Sequence, residues 1–229
     1  IKYELELETL QKSIDISAQS FKEILPLIEP GVSERAIGAK LDYLFKMNGG
    51  DGPSFETIIA SGYRGSWAHG VASDKKIQKG ELIVIDFGSF YHGYTADITR
   101  TVALGHVEPE LEKIYYIVLE AQKRGIAAAI AGNTGKDIDQ AGRNYIKEQG
   151  YGEYFGHGIG HGIGLEVHEL CTPAMPYSKE VMKNNMAITV EPGIYLPDRG
   201  GVRIEDDVLI KDNHPYVMSQ LPKDELLIL

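Results

Sequence analysis

Residues 81–87 read ELIVIDF and residues 93–102 read GYTADITRTV, two stretches rich in β-branched residues that predict neighbouring strands. Each contains one acid among apolar or β-branched residues, Asp86 in the first stretch and Asp97 in the second. A buried carboxylate without a partner is strongly unfavourable. In a hairpin that turns between residues 91 and 92, the two acids face each other across neighbouring strands. The pattern therefore predicts two carboxylates side by side on one face of a sheet.

A second pair of acids follows the same plan later in the chain. Residues 187–191 read AITVE and residues 201–210 read GVRIEDDVLI, which again predict two strands. A hairpin that sets Glu191 opposite Glu205 turns at Asp198, within the sequence PDRG. Like charges this close repel each other unless a positive group lies between them.

Helices precede each strand pair. Apolar residues at helical spacing predict four helices, at about residues 4–28, 34–47, 109–131 and 136–149. The helix break at Gly31 recurs at Gly132, and Asp86 recurs as Glu191, in the same order and nearly the same register. We therefore predict an α+β fold, made of one α/β unit used twice around a pseudo-twofold axis. Such an axis brings the two acid pairs together.

Three of the seven histidines lie in residues 156–169, GHGIGHGIGLEVHE. Each glycine costs about 1 kcal/mol in a helix relative to Ala, so the spacing of His157 and His161 does not indicate a helical zinc motif. In an extended segment both histidines lie on one face, and the glycines leave room for close approach on the other. One imidazole beside four carboxylates favours Mn, Fe, Co or Zn, and four carboxylates are enough to hold two ions.

Composition narrows the class of protein. The chain has 229 residues, of which 43% are hydrophobic and 24% charged, as in an ordinary globular domain. The net charge of −10 argues against a nucleic-acid partner, and no apolar run reaches the ~18 residues of a membrane helix. A single cysteine, Cys171, excludes a disulfide framework and favours the cytoplasm. The chain starts at Ile1, and we expect it to be part of a longer protein.

Five motifs resemble the catalytic domain of Xaa-Pro peptidases, the prolidase and aminopeptidase P branch of the methionine-aminopeptidase-like metallopeptidases. They lie at residues 85–88, 94–101, 160–169, 190–195 and 202–206. The resemblance covers essentially the whole chain and implies the pita-bread fold, with two related α/β halves around a two-metal centre. It implies that residues 1–229 are the metallopeptidase catalytic domain, without the N-terminal domain usual in the family. It also implies a homodimer in the full-length protein.

The resemblance assigns roles to individual residues. It implies that two divalent ions, manganese first and Co, Zn or Fe as alternatives, are held by five ligands: Asp86, Asp97, His161, Glu191 and Glu205. Four residues are implied in catalysis, with Glu191 moving the proton and the histidines near the substrate: His69, His157, His168 and Glu191. Tyr195 and Arg203 match positions that contact the substrate or the ligands.

The implied activity is hydrolysis of the peptide bond before proline, in Xaa-Pro dipeptides or at the N-terminus of Xaa-Pro peptides. Proline lacks an N–H and has restricted geometry, which common peptidases handle poorly. The Thr-Arg pair at residues 99–100 favours this branch. Three alternatives remain: a methionyl or other aminopeptidase of the same fold, a metal-free amidinohydrolase, and a non-catalytic peptide-binding module. The complete ligand set argues against the amidinohydrolase.

Overall fold

A computed structural model describes residues 1–169 and 174–229 and contains the two predicted halves. The helices are α1 (Glu4–Ile24), α2 (Glu34–Met47), α3 (Pro109–Ala128) and α4 (Gly135–Glu148). The strands of the first half are β1 (Gly52–Pro53), β2 (Ile58–Ser61), β3 (Glu81–Phe87), β4 (Ser89–Tyr91), β5 (Tyr94–Thr95) and β6 (Ile98–Leu104). Those of the second half are β7 (Ala187–Val190), β8 (Gly193–Leu196), β9 (Gly200–Arg203), β10 (Asp206–Lys211) and β11 (His214–Val217).

The helix boundaries follow from local signals at the break in each half. Gly31 and Gly132 have φ of +91° and +97°, a conformation that suits glycine, and each lies between the two helices of its half. Ser33 caps α2, and Thr134 forms a capping box with Asp137 at the start of α4. Both α1 and α3 end three or four residues earlier than predicted.

The two halves have separate sheets but share their hydrophobic clusters. Strands β2, β3 and β6 form one antiparallel sheet, and β7, β10 and β11 form another. Each half has its own hydrophobic cluster, but Leu82 and Ala103 of the first half belong to the second cluster, and Ala187 and Leu209 of the second half belong to the first. The two units therefore share their cores. Among the described residues, no helix is long and apolar enough to cross a membrane, and Cys171 lies outside them.

The predicted register of the first hairpin is wrong by two residues. Asp86 pairs with Thr99, not with Asp97, and Tyr91 pairs with Tyr94. The two residues of the turn, at 92 and 93, have φ of 46° and 92°, as a two-residue hairpin turn requires. This positive-φ turn lies one residue later than predicted and shifts every pair along the strands.

The predicted register of the second hairpin is confirmed. Val190 pairs with Asp206, and Gly193 pairs with Arg203, so Glu191 and Glu205 stand opposite each other between the two ladders. The turn at Asp198, with φ of 58°, is also as predicted.

Both long predicted strands are interrupted. Residues 93–102 divide into β5 and β6, and residues 201–210 divide into β9 and β10. Asp97 and Glu205 lie in these breaks, where their amides turn toward the other half. The N–H of Asp97 donates to Asp207 (3.2 Å), and that of Glu205 donates to the carbonyl of Thr99 (3.1 Å). The acids therefore lie where the halves meet.

Residues 159–163 of the glycine-histidine segment lie antiparallel beside β7, whereas residues 164–168 bend away from a regular strand. The amide of Thr189 donates to the carbonyl of His161 (2.8 Å), and the amide of Glu191 donates to that of Ile159 (2.6 Å). A Cβ at Gly160 would collide with the backbone of Thr189. Gly160 therefore allows the segment to pack closely against the backbone of β7.

This contact predicts a position-specific effect of adding a methyl group. Gly160→Ala forces the segment away from β7 and should lower the free energy of unfolding by about 1–3 kcal/mol or more, as measured by urea denaturation. Gly156→Ala is the matched control, because nothing lies within 4 Å of its Cβ position. Equal stability of the two variants would contradict the close packing at Gly160.

Candidate metal centre

Four carboxylates reach one cavity from four points of the two sheets. Asp86 lies near the end of β3, and Glu191 follows the last residue of β7. Asp97 and Glu205 project from the strand breaks. Asp86, Asp97 and Glu205 are buried, and Glu191 is half-buried. The repeated unit thus supplies two acids from each half.

His161 stands between acids of both halves. Its Nε2 lies 3.4 Å from Asp97 Oδ2 and 3.3 Å from Glu191 Oε1. The position of His161 follows from its hydrogen bond with Thr189 of β7, the strand that directly precedes Glu191. Within the described residues, three groups have possible ligand atoms within 4.8 Å of one another: Asp86, Asp97 and Glu205; His161, Glu191 and Glu205; and Asp97, His161 and His168.

Two of the carboxylates are anchored through one oxygen each. Asp86 Oδ2 accepts from the guanidinium of Arg203 (2.6 Å), and Glu205 Oε2 accepts from the hydroxyl of Thr99 (2.6 Å). The other oxygens, Asp86 Oδ1 and Glu205 Oε1, are buried and have no hydrogen-bond partner among the described residues. Orphaned anionic oxygens are costly in a protein interior, and a cation is the partner that suits them.

The electrostatics of the cavity also favour a cation. Burial raises the pKa of Asp97 well above its usual range, and Glu205, Asp86 and Glu191 raise it further by repulsion. Burial likewise raises the pKa of Glu205, with Glu191 and Asp86 adding to the effect. The donor set, carboxylates with an imidazole, therefore fits divalent metal ions, which relieve this repulsion.

His168 lies closer to the ligand set than the sequence predicts. Its ring centroid is 4.0 Å from that of His161, and it shares a potential ligand group with Asp97 and His161. The side chain is exposed to the cavity, and partial burial lowers its pKa, followed by the effect of His161. A neutral imidazole at this position can face either a substrate or an ion.

His157, Tyr195 and Arg203 form a chain that leads to Asp86. His157 Nε2 lies 2.8 Å from the hydroxyl of Tyr195, which also accepts from Arg203 (3.0 Å). Burial lowers the pKa of His157 and raises that of Tyr195. His157 and Arg203 line the cavity, whereas Tyr195 stands behind them. Tyr195 is therefore placed to orient its two neighbours.

The cavity has a volume of about 720 Å³, and apolar as well as polar residues line it. His69 lies at its exposed edge, on the loop that follows β2, and its neighbour Ala68 accepts from Arg203 through its carbonyl (3.0 Å). The apolar side chains of the lining include Phe55, Ile58, Val71, Val167 and Met175. A small peptide fits such a space, with its polar backbone toward the acids.

The sequence reasoning missed a buried network behind Glu205. Arg100 donates to the carbonyl of Glu205 (2.5 Å) and to Asp206 Oδ1 (2.6 Å). Burial alone would raise the pKa of Asp206, but Arg100 and Lys223 lower it below its usual range. Gln122 also donates to Asp206 (2.7 Å). Arg100 and Asp206 lie in the motifs at residues 94–101 and 202–206, close in sequence to the ligands Asp97 and Glu205. That proximity was the signal from which the sequence could have indicated their role.

Glu34 was also missed. It is fully buried at the start of α2 and accepts from Ser61 (2.8 Å), from Ser73 (2.6 Å) and from Arg64. It thus ties together both ends of the loop that contains His69. From the sequence alone, a buried acid in the first turn of a helix cannot be distinguished from an exposed acid that is stabilised there by the helix dipole.

Comparison with known proteins agrees with this geometry. Residues 8–212 match the model of metallopeptidase family M24. The Xaa-Pro dipeptidase of Pyrococcus furiosus is 50% identical over 226 residues, which are 99% of this chain and 65% of that protein. An uncharacterized peptidase of Bacillus subtilis is 46% identical over 230 residues, covering 100% of this chain and 64% of its own length. The chain thus spans less than two thirds of these relatives.

Solved structures are equally similar. The Xaa-Pro dipeptidase of Bacillus anthracis superimposes with a TM-score of 0.98 at 47% identity, covering 100% of this chain and 64% of that one. An X-Pro aminopeptidase of Thermotoga maritima has a TM-score of 0.96 at 44% identity, with 100% and 64% coverage. Both comparisons confirm the predicted resemblance and α+β architecture. The chain belongs to metallopeptidase family M24 and has the pita-bread fold of its prolidases.

Proposed function

We propose that the protein hydrolyses the peptide bond before proline with the help of two divalent metal ions. The substrates are Xaa-Pro dipeptides or peptides with Xaa-Pro at the N-terminus. The observation that supports this most directly is the grouping of four carboxylates and His161 around one cavity, in a chain of a metallopeptidase family. The names of the relatives, Xaa-Pro dipeptidase and X-Pro aminopeptidase, give the substrate class.

Five residues would hold the ions: Asp86, Asp97, His161, Glu191 and Glu205. Manganese is the first choice because the donor set is rich in oxygen, and Co, Zn and Fe are alternatives. Ions at this site would act as Lewis acids and make water a better nucleophile at neutral pH.

The other residues bind the substrate and move the proton. Glu191, half-buried and open to the cavity, can take a proton from the attacking water and return it to the proline nitrogen as the C–N bond breaks. His168 has a lowered pKa, so at neutral pH its neutral ring can donate one N–H to the oxyanion. Both ring nitrogens of His157 are bonded within the protein, to the carbonyl of Gly158 (2.7 Å) and to the hydroxyl of Tyr195 (2.8 Å), so its ring would hold the proline end by contact. His69, which is exposed at the edge of the cavity, would contact the bound substrate. Arg203 keeps Asp86 oriented.

The chain serves in this proposal as the catalytic domain of a longer protein. In that protein, an N-terminal domain would help to shape the substrate pocket, and the protein would form a homodimer. The alternatives, a methionyl or other aminopeptidase and a peptide-binding module without catalysis, have no specific observation in their favour. Whether a dipeptide or a longer peptide is preferred depends on what covers the open side of the cavity.

Removing a ligand tests the metal assignment. Asp97→Ala and Glu205→Ala should each abolish both metal binding and turnover, because each removes a carboxylate shared by two of the candidate ligand groups. Metal content is measured by elemental analysis and turnover by proline release from Ala-Pro. Asp224→Ala, at an exposed position, is the control and should retain both. Full activity in either ligand variant would contradict the assignment.

Substrate preference tests the activity itself. With added Mn²⁺, we expect cleavage of Ala-Pro or Ala-Pro-Ala and none of Met-Ala, because the proposed site is built for the bond before proline. A chelator should abolish the activity, and Mn²⁺ or Co²⁺ should restore it. The comparison is made on this chain and on a longer chain with the preceding domain. Cleavage of Met-Ala alone would favour the methionyl aminopeptidase.

The raised pKa values predict how the metal-free protein responds to pH. The folded pKa of Asp97 lies above its unfolded value of about 3.9, so its contribution to stability is present at low pH and is lost as pH rises through the folded pKa. In a chelator, the melting temperature should fall as pH rises above the unfolded pKa of about 3.9 and through the folded pKa, and Asp97→Asn should reduce that fall because it cannot ionise. Calorimetry measures both.

Asp224→Asn is the control for this measurement, because Asp224 is exposed and its pKa is lowered by Lys123. It should follow the unmodified protein. If Asp97→Asn shows the same pH dependence as the control, repulsion among the carboxylates does not limit the stability of the metal-free protein.

A further inference from the structure

One face of α4 is turned toward the glycine-histidine segment. Asp139, Gly142 and Arg143 stand at i, i+3 and i+4 and therefore share that face. Asp139 is fully buried, and the side chain of Arg143 is 25% exposed. Neither residue belongs to the metal ligands or lines the cavity.

The two charged residues form a fork-shaped ion pair that also holds the segment's backbone. Arg143 Nε donates to Asp139 Oδ2 (2.7 Å) and Nη2 donates to Oδ1 (2.9 Å). The same guanidinium donates to the carbonyls of Phe155 (3.0 Å) and His157 (2.5 Å). Asp139 Oδ1 in turn accepts from the amide of Ile159 (3.0 Å). Three backbone groups within five residues are therefore fixed by one pair.

Ile159 is held on its other sides as well. Its side chain fills a slot beside Gly125 of α3 and Gly142 of α4, where a Cβ at Gly125 would lie 2.9 Å from Ile159 Cδ1. Its carbonyl accepts from the amide of Glu191 (2.6 Å). The slot, the ion pair and the hydrogen bond to Glu191 together determine where the segment lies between the helices and the cavity.

We propose that Asp139 and Arg143 are positioning residues that set the backbone between His157 and His161. This rests on the proposed function, in which His157 contacts the substrate and His161 is a ligand. The segment needs such support, because glycine at alternate positions gives the backbone large conformational freedom. A guanidinium that donates to two carbonyls in a fixed geometry restricts that freedom in a way that a single point charge does not.

Hydrogen exchange tests the positioning without reference to activity. In the metal-free protein, Arg143→Met should accelerate exchange of the amides of residues 157–161 by about tenfold, equivalent to ~1.4 kcal/mol of local opening. The amides of β3 serve as the internal reference and should not change. A pair that only stabilised the whole fold would accelerate both regions together, and that result would overturn the proposal.

Kinetics give the second readout, with a matched control. Arg143→Met and Asp139→Asn should lower kcat/KM for Ala-Pro by about 10- to 100-fold well below the melting temperature. Arg124→Met removes another arginine paired with an acid one turn away, Glu120, on the exposed face of α3, and should have no effect. Unchanged kcat/KM in Arg143→Met would overturn the proposal. If the unmodified protein cleaves neither Ala-Pro nor Ala-Pro-Ala, the proposed function fails, and the exchange comparison still decides the positioning.

Discussion

Repulsion among four carboxylates around one cavity is the constraint on which the rest of the structure depends. Asp97 and Glu205 are buried beside Asp86 and Glu191, and their pKa values are raised by burial and then by repulsion from neighbouring carboxylates. Within the described chain, Arg203 forms an ion pair with only one of the four, Asp86. One guanidinium does not balance this charge, so the site is matched to cations from outside the chain. The fold thus keeps the four carboxylates close together at a place where cations can bind them.

The fold can do this because two of the acids, Asp97 and Glu205, lie in strand breaks and not in continuous strands. A strand residue exchanges its hydrogen bonds with neighbours in its own sheet, whereas the amides of Asp97 and Glu205 donate across to the other half. Arg100 reinforces the junction, since it donates to the carbonyl of Glu205 and to Asp206. The same interruptions that divide the sheets therefore place the carboxylates at the junction and keep them there.

The sequence predicts the two halves and the second hairpin register, because these depend on local patterns. The first register fails because the prediction set Asp86 opposite Asp97, whereas the positive-φ turn at His92 and Gly93 pairs Asp86 with Thr99. Glu34 and Asp139 were not predicted, because an acid near a helix start is usually exposed. Glu34 pairs with Arg64, thirty residues further along, which meets it only in the folded chain. The i,i+4 spacing of Asp139 and Arg143 is visible in the sequence, but the loop backbone that packs on the pair is not.

The buried acids Glu34 and Asp139 are each paired with an arginine, and a gain in folding stability does not by itself explain this arrangement. Glu34 with Arg64 holds the loop of His69, and Asp139 with Arg143 holds the backbone at His157. Burying an ion pair costs desolvation that its attraction often only offsets, so such pairs are weak arguments for stability. What each pair adds is geometry, because its remaining donors and acceptors bind the backbone of the loop that contains His69 or of the segment that contains His157. Each half thus holds the backbone beside one histidine of the cavity by the same means, a buried acid on a helix paired with an arginine.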